Sequence, residues 1–113
     1  MDRPTLDRSM LLALIRKRAG ARIVYSQHAV AQMSRPERMI STAEIRVVVG
    51  EGQIIEDYPD DRRGHSCLML GKGQGDRPVH VVCSPKDDYL AVITAYLPDE
   101  EQWTDGLRVR KSP

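Results

Sequence analysis

What most limits the fold of this chain is a change of period near residue 52. Downstream of it lie four short, strand-like runs, QIIEDY (53–58), SCLMLG (66–71), PVHVVCS (78–84) and LAVITAY (90–96). At period two, successive side chains point to opposite faces of a strand, so each run offers one face to a core. PDDRRGH, KGQGDR and PKDD join the runs, and all three are rich in turn formers. Connections this short reach an antiparallel neighbour, whereas a parallel crossover needs about a dozen residues or more. The expectation is a four-stranded antiparallel meander.

Upstream, the spacing is helical. Leu6, Met10, Leu11, Leu14 and Ile15 share one face, and RKRAG supplies cations and a glycine stop, so residues 1–20 read as an N-terminal helical segment. RIVYS is short and β-branched and could add one further strand. Ser26 is placed to cap a second helix, with Ala29, Val30 and Met33 as its buried stripe and His28, Gln32 and Arg35 on another face. Pro36 should end that helix. In ISTAEI, Ser41 and Glu44 form a capping box flanked by Ile40 and Ile45 as a hydrophobic staple, which opens a third helix closing near Gly50. Helices followed by a meander give an α+β fold, with the helices on one face of a four-stranded antiparallel sheet to which RIVYS would add an extra short strand. With 113 residues the whole chain, 1–113, reads as a single domain.

Composition excludes several function classes. The 17 basic and 16 acidic residues leave a net charge of +1, far from the footprint of a strongly basic nucleic-acid binder, although a local basic patch is compatible with it. No apolar run approaches the length of a membrane span, and the opening MDRPTLDRSM is too polar for a signal peptide. Two cysteines without secretory context favour reduced thiols in a cytoplasmic protein. With no Phe and a single Trp, the core is aliphatic and broad base-stacking platforms are not expected.

Most chemical motifs are missing. His65 and Cys67, and His80 and Cys83, lack the spacing of metal-ligand pairs, and the cysteines read better as small core residues. GKGQG sits in a hairpin turn without the helix a phosphate cradle needs. The acidic run EDYPDD reads as a strand end and a solvated loop. No cofactor is implied. What remains is an inventory suited to metal-free RNA cleavage, with imidazoles as acid or base and guanidinium groups for phosphate. Its members are His28, Arg35, Arg38, His80 and Tyr96. In the ordinary reading, His28 bonds a strand end and His80 is a half-buried strand residue.

Taken in order, YSQHA, RMIS, GQIIEDYPDD, SCLMLG, RPVHVV, ITAYLPDEEQW and RVRK resemble the bacterial domain-of-unknown-function family 4258, from about residue 23 to 111. The resemblance covers a family-like core, 23–113, behind the first helix. Such proteins are similar to RelE-like and MqsR-like toxins, which implies a metal-independent RNA endonuclease of a toxin–antitoxin pair. Its partners would be RNA and a zinc-finger or helix-turn-helix antitoxin. Carried over by residue, the catalytic positions fall on His28, Arg38, His80 and Tyr96, and RNA contacts on Gln32, Arg35, Arg108 and Arg110. Gln32 stands where relatives often carry Arg, a loss that Arg35 offsets only if the helix continues to it. The competing expectation is a non-catalytic interaction domain with Trp103 and Tyr96 as interface anchors. Against it, Trp103 can fold back as a lid over the sheet.

Overall fold

A computed structural model describes residues 6–111. Residues 1–5 of the expected N-terminal helical segment, and 112 and 113, lie outside the described residues. Helix α1 (Arg8–Ala21) starts where Asp7 accepts the Met10 amide at 2.8 Å, and it buries Leu11 and Ile15. Strand β1 (Ile23–Tyr25) leads into α2 (Gln27–Met33), capped by Ser26 as its sequence predicts, with the Ala29 amide 2.9 Å from the hydroxyl. Helix α3 (Thr42–Glu51) carries the full capping box of Ser41 and Glu44, and Ile40 and Ile45 are both in the core. Strands β2 (Gln53–Tyr58), β3 (Ser66–Lys72), β4 (Pro78–Pro85) and β5 (Leu90–Tyr96) are the four expected runs.

The sheet differs from the expected meander at its edges. It has five strands in the order β1-β5-β4-β3-β2, and β1 pairs with β5 in parallel, so the sheet is mixed. The reason is remote pairing. Ser26 donates its amide to Val92 and Leu90 donates to Arg22, across more than 60 residues that no local turn signals. A second feature is new: β6 (Trp103–Thr104) and β7 (Val109–Arg110) form a separate two-stranded hairpin. Asp105, Gly106 and Leu107 in its turn all adopt positive φ, which lets so short a loop reverse.

Two expectations around α2 are corrected. Val30 is 51% exposed rather than buried, because Ala29 and Met33, four residues apart, already define the inward face of a helix only seven residues long. The helix ends at Met33, so the face through His28 and Gln32 does not reach Arg35. Arg35 lies in the following turn and pairs with Glu37 at 3.8 Å.

One core cluster joins Leu11, Ile15, Ala29, Met33, Ile45 and Val48 from the helices to Met69, Val79, Val81, Cys83 and Val92 from the sheet. All three helices therefore cover the same sheet face. Leu68, His80 and Trp103 are buried too but stand outside this cluster. They belong to the opposite face, which the C-terminal hairpin covers.

Candidate functional site

Alternation along β4 decides which groups meet. Val79, Val81 and Cys83 enter the helix-side core, so His80 between them points to the hairpin side. There it faces Tyr96, its register partner on β5. In β2, Glu56 and Tyr58 pair with Leu68 and Ser66 of β3, which puts both on this same face. The hairpin then brings Trp103, Leu107 and Arg110 against them.

The result is two hydrogen-bonded groups that meet across the Trp103 ring. His80 Nε2–H donates to the Leu107 carbonyl at 2.9 Å, which leaves Nδ1 as acceptor for the Tyr96 hydroxyl at 3.2 Å. The imidazole also meets Trp103 edge-on, with centroids 4.5 Å apart. Arg110 Nε donates to both carboxylate oxygens of Glu56, at 2.9 and 3.2 Å, and its guanidinium lies 4.7 Å over the Trp103 ring. Tyr58 donates its hydroxyl to Glu56.

Burial and charge set distinct protonation states here. Burial pushes the His80 pKa down, in agreement with a neutral imidazole whose two nitrogens are both occupied. Burial and the bond to Glu56 push Tyr58 up to about 12, so its proton is retained at neutral pH. Burial also raises Tyr96. Arg110 is held charged by Glu56 and Tyr58. Glu56 is 22% exposed and Arg110 59%, so solvent reaches this pair while His80 is fully covered. Beside the network, at the hairpin turn, lies a cleft of about 400 Å³ with Arg108 and Lys72 on its rim.

The remaining candidates sit elsewhere. His28 is exposed on α2, across the sheet from His80, so the two imidazoles share no site. Arg38 reaches Gln32 Oε1 at 3.4 Å and the two make a small polar patch beside His28's helix. Trp103 is 4% exposed and is a lid rather than an interface anchor. Cys67 and Cys83 are opposite one another, buried and unbridged on the helix-side face. Among the described residues no group of three or more His, Cys, Asp or Glu is arranged to hold a metal ion. Nor is any helix there long and apolar enough to cross a membrane.

A sequence profile of the domain of unknown function DUF4258 matches residues 25–97, more than half of the chain. The chain belongs to this family. No curated protein and no solved structure matches it. The matched segment of this DUF4258 protein runs from β1 to the end of β5 and holds His28, Arg38, Glu56, Tyr58, His80 and Tyr96. The hairpin carrying Trp103, Leu107 and Arg110 follows it.

Three members of the network escaped the sequence reading, namely Glu56, Tyr58 and Trp103 as a neighbour of His80. A usable signal existed for the first two. Positions 56 and 58 are two apart in the expected strand QIIEDY and so share a face, yet EDYPDD as a whole read as a strand end and a solvated loop. In the folded chain Glu56 bonds Arg110, Asp57 sits 2.5 Å from His65, and Asp61 accepts from Arg63 and Ser66. These partners are 54, 8, 2 and 5 residues away, and only the closest could be anticipated locally.

Proposed function

We propose that this protein is a metal-independent ribonuclease of the RelE-like toxin class, acting from the hairpin-covered sheet face. One observation carries the reading: Glu56, Tyr58 and Arg110 join a carboxylate, a protonated phenol and a cation at a solvent-reachable edge of the His80–Tyr96 network. Cleavage of RNA by its own 2′-hydroxyl needs a proton acceptor, a proton donor and a positive charge for the phosphorane. Glu56 takes the 2′-hydroxyl proton, and Arg110 turns from Glu56 to the phosphate. Tyr58, still protonated at neutral pH, donates to the departing 5′ oxygen. The proton on Glu56 then returns to Tyr58 through their existing hydrogen bond, so the proton balance closes.

His80 has a different role in this reading from the one its sequence suggests. Covered and neutral, it positions Tyr96 and the Leu107 turn rather than exchanging protons with solvent. The polar patch of Gln32 and Arg38, with His28 on the same helix, would contact RNA outside the cleavage centre. The natural partner is an antitoxin protein that masks the Glu56–Arg110 edge.

The test is cleavage of RNA by the full chain in the presence of a chelator, with induced expression in cells as a second readout. Glu56→Gln should lower the rate by about 100-fold or more, the usual contribution of a positioned base. Equal activity of Glu56→Gln and the parent chain would sink the assignment. If neither chain cleaves RNA nor slows growth, the non-catalytic interaction domain becomes the better reading. Val30 at 51% and Met39 at 62% exposure then mark the α2 side as the surface to examine.

A further inference from the structure

The C-terminal hairpin is held to the rest of the fold by few contacts. From Gln102 to Lys111 only Trp103 is buried and only Leu107 is half-buried, and every other residue is exposed. Neither of these two belongs to the core cluster that joins the helices to the sheet. The hairpin's main-chain bonds close on itself, from the Lys111 amide to the Gln102 carbonyl and from the Arg108 amide to the Thr104 carbonyl. Among the described residues no main-chain bond joins it to the five-stranded sheet. Side chains make the ties instead: Trp103 against His80, His80 Nε2–H to the Leu107 carbonyl, and Arg110 to Glu56.

These ties are modest. An ion pair at the surface contributes little, and Arg110 is more than half exposed. Leu107 sits at a φ of 71° and Asp105 at 52°, conformations that residues with a Cβ rarely adopt and whose strain docking must offset. Two strands of two residues add little order of their own. Segments with so few buried contacts open at a free energy well below that of the whole fold. Residues 99–102 are an exposed connector between β5 and the hairpin, so the hairpin can leave without unpairing a strand of the main sheet.

We infer that the hairpin is a switch: it leaves the sheet as one unit while the helices and the five strands stay folded, and it thereby carries Arg110 to and from Glu56. Closed, it brings the guanidinium to a carboxylate 54 residues away in sequence. Open, it takes that cation away and leaves Glu56 and Tyr58 bonded to each other on β2. Opening also removes the Trp103 cover from His80. The effect on activity rests on the ribonuclease reading, whereas the opening itself does not.

Native-state hydrogen exchange of the full chain, followed by NMR at guanidinium concentrations below the unfolding midpoint, tests it. The Arg108 and Lys111 amides should share one opening reaction, with weak denaturant dependence and exchange at least about 100-fold faster than the amides of β4. Trp103→Ala should speed both hairpin amides by the same factor, about 100-fold, and leave the dispersed signals of β3 and β4 in place. Its RNA cleavage rate should fall by the factor by which the closed population falls. Hairpin amides that exchange only with global unfolding, or that show no protection in the parent chain, would overturn the inference. So would a variant whose hairpin is mostly open and which cleaves RNA at the parent rate. The parent-chain measurement needs no variant to fold. Local opening without RNA cleavage by any chain removes only the ribonuclease reading, and cleavage by a chain whose hairpin opens only on global unfolding removes only the switch.

Discussion

Glu44 uses both carboxylate oxygens to tie three parts of the chain together. Oε1 accepts the Ser41 amide at 3.1 Å and Arg77 Nη2 at 2.9 Å, and Oε2 accepts the Gln74 amide at 2.8 Å and Arg77 Nε at 3.0 Å. The Arg77 bond chiefly, with the two backbone donors, holds its pKa down at about 2, while burial works in the opposite sense. Because the folded pKa lies below the unfolded value of about 4.3, the carboxylate adds stability above that pH. That contribution should fade as pH falls from about 4.3 towards 2, visible as a falling denaturation midpoint that Glu44→Gln lacks. Arg77→Ala leaves a buried carboxylate without its cation and should cost about 3 kcal/mol at pH 7 by denaturant unfolding. The capping half of this knot is legible in ISTAEI because Ser41 and Glu44 are three residues apart. Arg77 is not, because only the β3–β4 turn brings it back across 33 residues. The same distinction explains why Glu56 read as an acid at a strand end, with no partner, until Arg110 was beside it.

Among the elements, the C-terminal hairpin is the least self-sufficient. Two strands of two residues each do not persist alone in water, so its order depends on docking against the sheet. That docking rests on Trp103 against His80, Arg110 on Glu56 and the Leu107 carbonyl on His80 Nε2. Trp103→Ala should therefore cost about 3 kcal/mol. It should also make His80 reactive to diethylpyrocarbonate in site-resolved mass spectrometry, whereas in the parent chain His28 reacts and His80 does not. On the helix side of the sheet, Gly71→Ala should lower stability by about 1–3 kcal/mol, because the new methyl meets Val48 backbone that cannot swing aside. Strands β2 to β5 and the three helices were readable from periodicity, caps and turns. The partner of β1 was not, because a three-residue strand carries no record of the segment it will pair with.

For the molecule as a whole, the near balance of 17 basic and 16 acidic residues limits how RNA is held. If Arg110, Arg108 and Lys72 supply the phosphate contacts, log K against log salt should have a slope of about −2.1, far shallower than that of a strongly basic nucleic-acid binder. Fluorescence titration of a short RNA at several salt concentrations checks this, and a slope steeper than about −4 would place the contacts elsewhere. Sequence alone determined the α+β class, the four strands β2 to β5 after the three helices, the caps of α2 and α3, and the membership of His80 and Tyr96 in a polar inventory. Those properties are local, set by period, capping chemistry and residue type. Tertiary structure alone decided that β1 enters in parallel, that His28 and His80 lie across the sheet from one another, and that Glu56 and Tyr58 meet Arg110. Which face a strand residue serves depends on what packs there, and here the helices cover one face and a hairpin from the end of the chain covers the other.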